Sequence, residues 1–263
     1  MKWGNDAHRC VLILLSLRFG VSLWGMYDEV KAILSKAKSI VFLGGAGVST
    51  ASKIPDFRSP QGIFEAERKY GVPYETLLSH TYFTHHPEEF FSFYWDKMVY
   101  PDAQPNAAHL ALADYEKRGH RLTILTQNID GLHQKAGSKK VVELHGSVSS
   151  YHCLDCSRHY ALMDIVHHGI PHCQCGGILK PDVVLYEEPL DQEALLASAK
   201  ALREADVLIV GGTSLNVYPA AGLIYEFQGR HAILINKEKT SLDSYFEYRI
   251  HDDIGAVLTE ILK

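Results

Sequence analysis

The chain alternates short β-branched runs with amphipathic stretches. Tyr27 to Lys38 carries Val30, Ile33, Leu34 and Ala37 at the spacing of one helix face. Ser39 to Leu43 is a short β run that ends in Gly44-Gly45-Ala46-Gly47. Pro55 and Pro60 stop any helix begun at Ser49, so Lys53 to Gly62 is expected to be a loop. From Ile63 to about Glu116 the spacing is helical and rich in aromatics, among them Phe83, Phe90, Phe91, Phe93, Tyr94 and Trp95. Such a stripe fits a packed core better than a cofactor site. Leu122 to Leu125 and Val141 to Leu144 read as strands, while Tyr151 to Leu179 is polar and cysteine-bearing, as a small inserted module would be. Val183 to Tyr186 resumes a β pattern, and Asp191 to Glu204 is an amphipathic helix. Val207 to Val210 is a buried strand ending at Gly211-Gly212-Thr213-Ser214. Pro219 to Phe227 reads as a helix, Ala232 to Ile235 as a strand ending at Asn236, and Asp253 to Leu262 as the closing helix.

Strands that alternate with helices predict an α/β fold with a doubly wound, mostly parallel, Rossmann-like sheet, interrupted by a helical insertion and the cysteine module. In such sheets ligands sit beyond the carboxyl ends of the strands. Here those ends carry Gly45-Ala46-Gly47, Thr126-Gln127-Asn128, His145, Gly212-Thr213-Ser214 and Asn236. One polar strand end means little, but five separate ones describe a binding rim.

Composition narrows the class without changing that picture. The 263 residues are 46% hydrophobic and 22% charged, as in an ordinary globular protein. A net charge of −5 offers no general attraction to nucleic acid or to an anionic membrane, so neither is expected as a partner. Five cysteines, four of them clustered, do not resemble a secreted disulfide framework, and a cytoplasmic location is expected. The apolar run from Cys10 to Trp24 is broken by Arg18 and is shorter than the roughly 20 residues that span a bilayer. Lys2, Arg9 and the run from Val11 to Leu17 have a weak signal-peptide flavour without an obvious small-residue cleavage site, and residues 1–25 read better as an N-terminal extension or an upstream start. The folded part is expected over 26–263, with a large domain of 26–62, 105–150 and 180–263, a helical insertion near 63–104 and a cysteine module near 151–179.

Three motifs carry chemistry. Gly45-Ala46-Gly47 after a strand suits close approach of a phosphate to the backbone, although glycine also ends strands that bind nothing. Thr50 stands where the dehydrogenase fingerprint would have its third glycine, and a proline-flanked loop replaces the second strand; this excludes ordinary hydride-transfer geometry. Cys153-x2-Cys156 and Cys173-x-Cys175 can converge four thiolates on one zinc, and four sulfur ligands leave no open position, so the metal would be structural. His145, between a strand and Gly146, has the chemistry of a general base near neutral pH, though a lone histidine is more often a packing or capping residue. Asn128 and Asp130 can bond sugar hydroxyls or an amide, or simply cap the turn before Gly131.

Gly45-Ala46-Gly47-Val48-Ser49 with Ile54-Pro55-Asp56-Phe57-Arg58, then Thr126-Gln127-Asn128-Ile129-Asp130-Gly131-Leu132-His133, His145-Gly146, the four cysteines, Gly212-Thr213-Ser214-Leu215 and Ile235-Asn236 follow one another in order. From about Tyr27 to the C-terminus the chain resembles the sirtuin family of NAD-dependent protein-lysine deacylases, the small bacterial type above all. The resemblance implies that Gly45, Ala46, Gly47, Thr50, Phe57 and Arg58 line an NAD site, that Gln127 meets the ribose, and that Asn128, Ile129 and Asp130 form the nicotinamide pocket. It implies that Gly212, Thr213, Ser214, Asn236 and the backbone near Lys237 and Ile254 hold the phosphates and adenosine. His145 would be the general base, with Asn128 and Asp130 also in the catalytic set. Val183 and Val184 would carry the acyl-lysine peptide as an added strand. The implied products are free lysine, nicotinamide and O-acetyl-ADP-ribose, and the implied partners are acetylated protein lysines. Alternatives are mono-ADP-ribosyl transfer to protein and a low-turnover NAD-sensing module.

Two residues depart from the family pattern. Lys53 and Glu187 each stand where glycine is usual; a positive φ at position 53 would cost the lysine about 1 kcal/mol or more, and Glu187 bears on the geometry of the acyl-lysine loop. No Tyr-x-x-Arg pair for acidic acyl groups is evident around Tyr94, and Asp96 nearby argues for acetyl or another neutral acyl group.

Overall fold

The structure, a computed structural model, describes residues 23–56 and 68–263. Phe57, Arg58 and nearly all of the N-terminal extension lie outside the described residues. Helix α1 (Leu23–Lys36) leads into strand β1 (Ile40–Gly44), followed by two single 3-10 turns at Ala46–Val48 and Thr50–Ser52. The helix starts before Met26, where the sequence pattern placed the beginning of the folded part. Three short helices follow: α2 (Tyr74–Leu77), α3 (His80–His85) and α4 (Pro87–Lys97). Pro73 precedes the first of these and Pro87 opens the third, which divides what the sequence shows as one long helical stretch. Then come α5 (Ala107–Lys117), β2 (Leu122–Thr126), α6 (Leu132–Ala136) and β3 (Val141–Glu143). Strands β4 (Gly146–Cys153), β5 (His159–Ala161) and β6 (Leu179–Val183) precede α7 (Gln192–Arg203) and β7 (Val207–Gly211). The chain ends with a 3-10 helix at Ala220–Glu226, β8 (His231–Ile235), β9 (Tyr248–Ile250) and α8 (Ile254–Ile261).

Six strands form one sheet in the order β3-β2-β1-β7-β8-β9, every neighbouring pair parallel. The chain builds outward from β1 through β2 and β3, then returns to the other side of β1 and builds outward again. The reversal falls between β1 and β7, and there the loops leaving the two strands diverge and open a crevice. Strand alternation divides the core. Ile40 and Phe42 face a layer with Val30 and Leu34 of α1, Leu112 of α5, and Val257 and Leu258 of α8. Val41 and Leu43 face the opposite layer with Leu202 of α7 and Ala220, Ala221 and Ile224. A sheet buried on both faces explains why its strands are continuous apolar runs.

A second sheet, in the order β5-β4-β6, is antiparallel. The aromatic stripe is core, as its spacing predicts: Phe90, Phe91, Phe93 and Tyr94 pack with Tyr151, Leu179, Val183 and Leu185. It welds the short helices to the second sheet, each buried aromatic contributing about 1.5–3 kcal/mol. The β reading of Val183 to Tyr186 requires correction, because the strand is Leu179–Val183 and carries Pro181. An edge position tolerates that proline. Beyond Val183 the regular pairing ends: Val184 donates the last bond of the β4–β6 ladder to the His145 carbonyl, Leu185 turns to the Glu188 carboxylate, and Tyr186 donates to the Leu78 carbonyl in an isolated parallel bridge to Ser79. The segment Pro219 to Phe227 is 3-10 rather than α-helical; β4 was not evident in the sequence because its residues are largely polar, and β5 and β9 because three residues each give too short a pattern.

Candidate functional site

The switch point is built around contacts that only glycine allows. Gly47 donates its N–H to the Gly212 carbonyl at 2.8 Å, and a Cβ on Gly212, whose φ is +58°, would lie 2.5 Å from the Val48 nitrogen. The two strand-end loops therefore touch backbone to backbone beside the crevice. From there the carboxyl edge continues through Gln127, whose N–H reaches the Gly44 carbonyl, to Leu144, whose N–H reaches the Thr126 carbonyl.

A cavity of about 300 Å³ opens beside this edge. Ala46, Gln127, Asn128, Ile129, Asp130, His145, Val183 and Val184 all line it, so the structure brings the three strand ends and the β6 exit to one space. Gln127 is buried and its amide donates to the Thr213 hydroxyl at 3.2 Å. The Asp130 carboxylate accepts the Leu132 N–H through one oxygen at 2.9 Å and the Ser49 hydroxyl through the other at 2.6 Å. Ser49 accepts the Asn128 amide at 3.0 Å. Asp130 thus caps the start of α6, the modest role the sequence allowed, while facing the cavity. Ser49 is a residue the sequence reading did not single out, although it closes the glycine-rich run. Its link to Asp130 spans 81 positions of sequence and leaves no local signal.

His145 Nδ1 lies 2.9 Å from the Gln127 carbonyl oxygen. A carbonyl only accepts, so Nδ1 carries the proton and Nε2 is the basic nitrogen of the neutral ring. The His145 carbonyl in turn accepts the Val184 N–H at 2.9 Å. Between them sits Gly146 (φ +73°), where any Cβ would fall 1.9 Å from the Asp182 carbonyl oxygen. Histidine and β6 exit are held within one hydrogen bond of each other because this position has no side chain.

The remaining candidates lie on the same carboxyl edge but do not line this cavity. Thr50 donates its hydroxyl to the Gly47 carbonyl, and Thr213 is buried while Ser214 is exposed. Asn236 reaches the Glu238 carbonyl and Lys237 pairs with Asp253 at 3.2 Å. The Ile254 side chain is core and packs against Gly211, so only its backbone is placed for a ligand. Gly45 bonds the Gly211 carbonyl beside the same crevice.

The far wall was not legible in the sequence: Tyr74, Leu78, Met98 and Tyr100 come from the helical segment, Tyr186 from the β6 exit, and Val217, Tyr218 and Pro219 from the loop after β7. Among the described residues the lining has no lysine or arginine, and Asp56, Asp130, Glu187 and Glu188 are its charged members. Tyr94 instead bonds Tyr151 in the core, and Asp96 binds Lys69 and Tyr70 on the surface. The argument against acidic acyl groups thus rests on the lining, not on Asp96.

Both departures from the glycine pattern sit at positive φ, 65° for Lys53 and 75° for Glu187. Glu187 is anchored there, its carboxylate accepting the Thr81 N–H at 2.9 Å. The Thr81 hydroxyl and N–H hold the carboxyl below its usual value.

The sulfur atoms of Cys153, Cys156, Cys173 and Cys175 all lie within 4.8 Å of one another. Nearest separations of 3.4, 3.4 and 3.6 Å match the roughly 3.8 Å edge of a tetrahedron with zinc–sulfur bonds near 2.3 Å. The Cys175 N–H and the Tyr160 hydroxyl favour the thiolate of Cys173. Four thiolates at these separations fit a closed structural zinc.

A profile of the Sir2, or sirtuin, family matches residues 45–219. The chain belongs to the Sir2 family. Among its relatives, an NAD-dependent protein deacetylase of Clostridium acetobutylicum is 53% identical over 238 residues, covering 89% of this chain and 97% of its own. A solved Sir2 homolog in complex with NAD is similar at 34% identity and a TM-score of 0.81, over 89% of this chain and 92% of that one. A Sir2 solved with a deacetylated p53 peptide and 3'-O-acetyl ADP ribose is 35% identical with a TM-score of 0.79, over 89% and 96% of the two chains. Among the described residues no helix is long and apolar enough to cross a membrane.

Proposed function

We propose that the protein removes acetyl groups from protein lysines in an NAD-dependent reaction, releasing nicotinamide and O-acetyl-ADP-ribose. One observation carries the reading: His145, with its proton fixed on Nδ1 by the Gln127 carbonyl, shares a cavity with Asn128 and Asp130 and is hydrogen-bonded through its backbone to the β6 exit. Bound NAD supplies the glycosidic bond whose cleavage releases nicotinamide and the ADP-ribose that accepts the acyl group. Gly45, Ala46, Gly47, Thr50 and Gly212 to Ser214 are the residues suited to its phosphates, with Asn236, Lys237 and the Ile254 backbone toward the adenosine.

His145 Nε2 takes a proton from a ribose hydroxyl, and general-base assistance of this kind is worth about 10²- to 10⁴-fold in rate. Asn128 and Asp130, fixed through Ser49, orient the nicotinamide amide. Val183 and Val184 guide the peptide, and the apolar wall of Leu78, Met98 and Val217 excludes water. Asp130, Glu187 and Glu188 in the lining favour acetyl or another neutral acyl group over an acidic one. The domain division given above, with NAD on the large domain and zinc holding the module near 151–179, and a cytoplasmic location belong to the same reading. The test is nicotinamide release over a panel of acyl-lysine peptides. Release should require both NAD and an acetylated peptide, and NAD binding without any release would refute it.

A further inference from the structure

A second groove adjoins the cavity and shares two of its residues, Tyr186 and Glu187. Its other walls include Glu75 and Tyr82 with His85 and His86, from α2, α3 and the turn after them. The groove is built, not incidental. Tyr186 is bridged to Ser79, its carbonyl accepts the His80 N–H at 3.0 Å, and the Tyr82 ring stacks on His86 with centroids 4.7 Å apart. Two carboxylates, Glu75 and Glu187, line it, and among the described residues its lining has no lysine or arginine. Glu187 is held there against its own backbone preference, at φ 75°, by the Thr81 N–H.

We propose that this groove receives the basic residues that flank the acyl-lysine of a substrate protein. The inference rests on the deacetylase reading of the adjoining cavity. Continuity makes the case for the occupant: an extended chain leaving the Val183–Tyr186 wall advances about 3.3 Å per residue and enters the groove within a few residues. Charge and shape give its chemistry. A guanidinium suits a site that offers two carboxylates beside the aromatic side chains of Tyr82 and Tyr186. An acidic flank would face the like charges of Glu75 and Glu187, with only the imidazoles of His85 and His86 beside them.

The test compares acetyl-lysine peptides identical except for arginine or glutamate on one flank or the other, at saturating NAD, with the wild type and with Glu75→Gln and Glu187→Gln. Glutamine keeps an oxygen for the Thr81 N–H and removes only the charge. On one flank, arginine should lower KM relative to glutamate by about 5- to 20-fold, and each glutamine should narrow that ratio by about 2- to 5-fold, as for exposed ion pairs. Added salt should shrink it further. Equal KM values for the two peptide sets in the wild type would overturn the proposal, as would an arginine preference that neither variant changes. Absence of nicotinamide release from every peptide is the distinct outcome in which the deacetylase reading fails and the groove's role falls with it.

Discussion

Lys180 offers the sharpest quantitative test of how the β6 exit is held. Its ammonium is nearly buried, with a side-chain exposure of 10%, and lies 3.1 Å from the Val183 carbonyl, 3.3 Å from that of Pro181 and 3.1 Å from Glu188 Oε2. The same Glu188 oxygen accepts the Leu185 N–H at 2.9 Å, and its partner oxygen meets His80 Nδ1 at 2.9 Å. One carboxylate thus stands in for the missing neighbour strand, and one ammonium compensates it. Burial alone would push the Glu188 carboxyl up, but the Leu185 N–H, His80 and Lys180 together hold it below its usual value. A lowered carboxyl stabilises the fold above the unfolded value of about 4.3, so this contribution is fully present at pH 7 and fades as pH falls through the folded value.

Lys180→Met keeps the length of the chain and removes the charge. Breaking a fully buried pair costs about 3–5 kcal/mol. Because Glu188 retains 18% exposure and two other partners, about 2–3 kcal/mol is expected here. Glu188→Gln should cost about 1–2 kcal/mol, since the amide oxygen still accepts the Leu185 N–H. The double variant should cost no more than Lys180→Met alone, which gives a coupling of about 1–2 kcal/mol. Urea unfolding at pH 7.5 measures all three, and peptide KM should rise more than the KM for NAD. A Lys180→Met protein within about 0.5 kcal/mol of wild type, or a coupling near zero, would refute the latch.

Further outcomes follow from the same geometry. His145→Ala should lower kcat by about 10²-fold or more with NAD affinity retained, measured by nicotinamide release; full activity would remove the histidine from the mechanism. Burial pushes the paired imidazoles of His109 and His133 down to about 4 and about 3. The unfolded chain then takes up protons first as pH falls below about 6.5, so stability should decline from there toward pH 4, and His133→Asn should flatten that slope in urea titrations. Gly146→Ala should abolish activity and lower Tm, because its Cβ would overlap the Asp182 carbonyl; a normal Tm would show that the strand can shift. Chelation of zinc, or Cys156→Ser, should unfold the second sheet and silence the enzyme even though no substrate touches the metal, as followed by circular dichroism beside activity.

Much of the molecule was legible in the chain because the signals are short-range. Continuous apolar runs at Ile40–Leu43 and Val207–Val210, four cysteines at zinc spacing and five polar strand ends depend on neighbours a few positions apart, and they point to the fold class, the metal site and a binding rim. Lys53 and Glu187 could be marked as departures, and both proved to sit at positive φ. What the sequence left open depends on pairing between distant segments. Strand order decides where the switch point falls, and only then do Ser49 and Asp130 meet. The exit from β6 looked like a strand because Val183 to Tyr186 is apolar. Its N–H groups find the His145 carbonyl, the nearby Glu188 carboxylate and the Leu78 carbonyl at a helix end, and the first and last of these come from distant segments. The second groove has the same origin, since helix α2, helix α3 and Glu187 become its walls when tertiary packing sets them side by side.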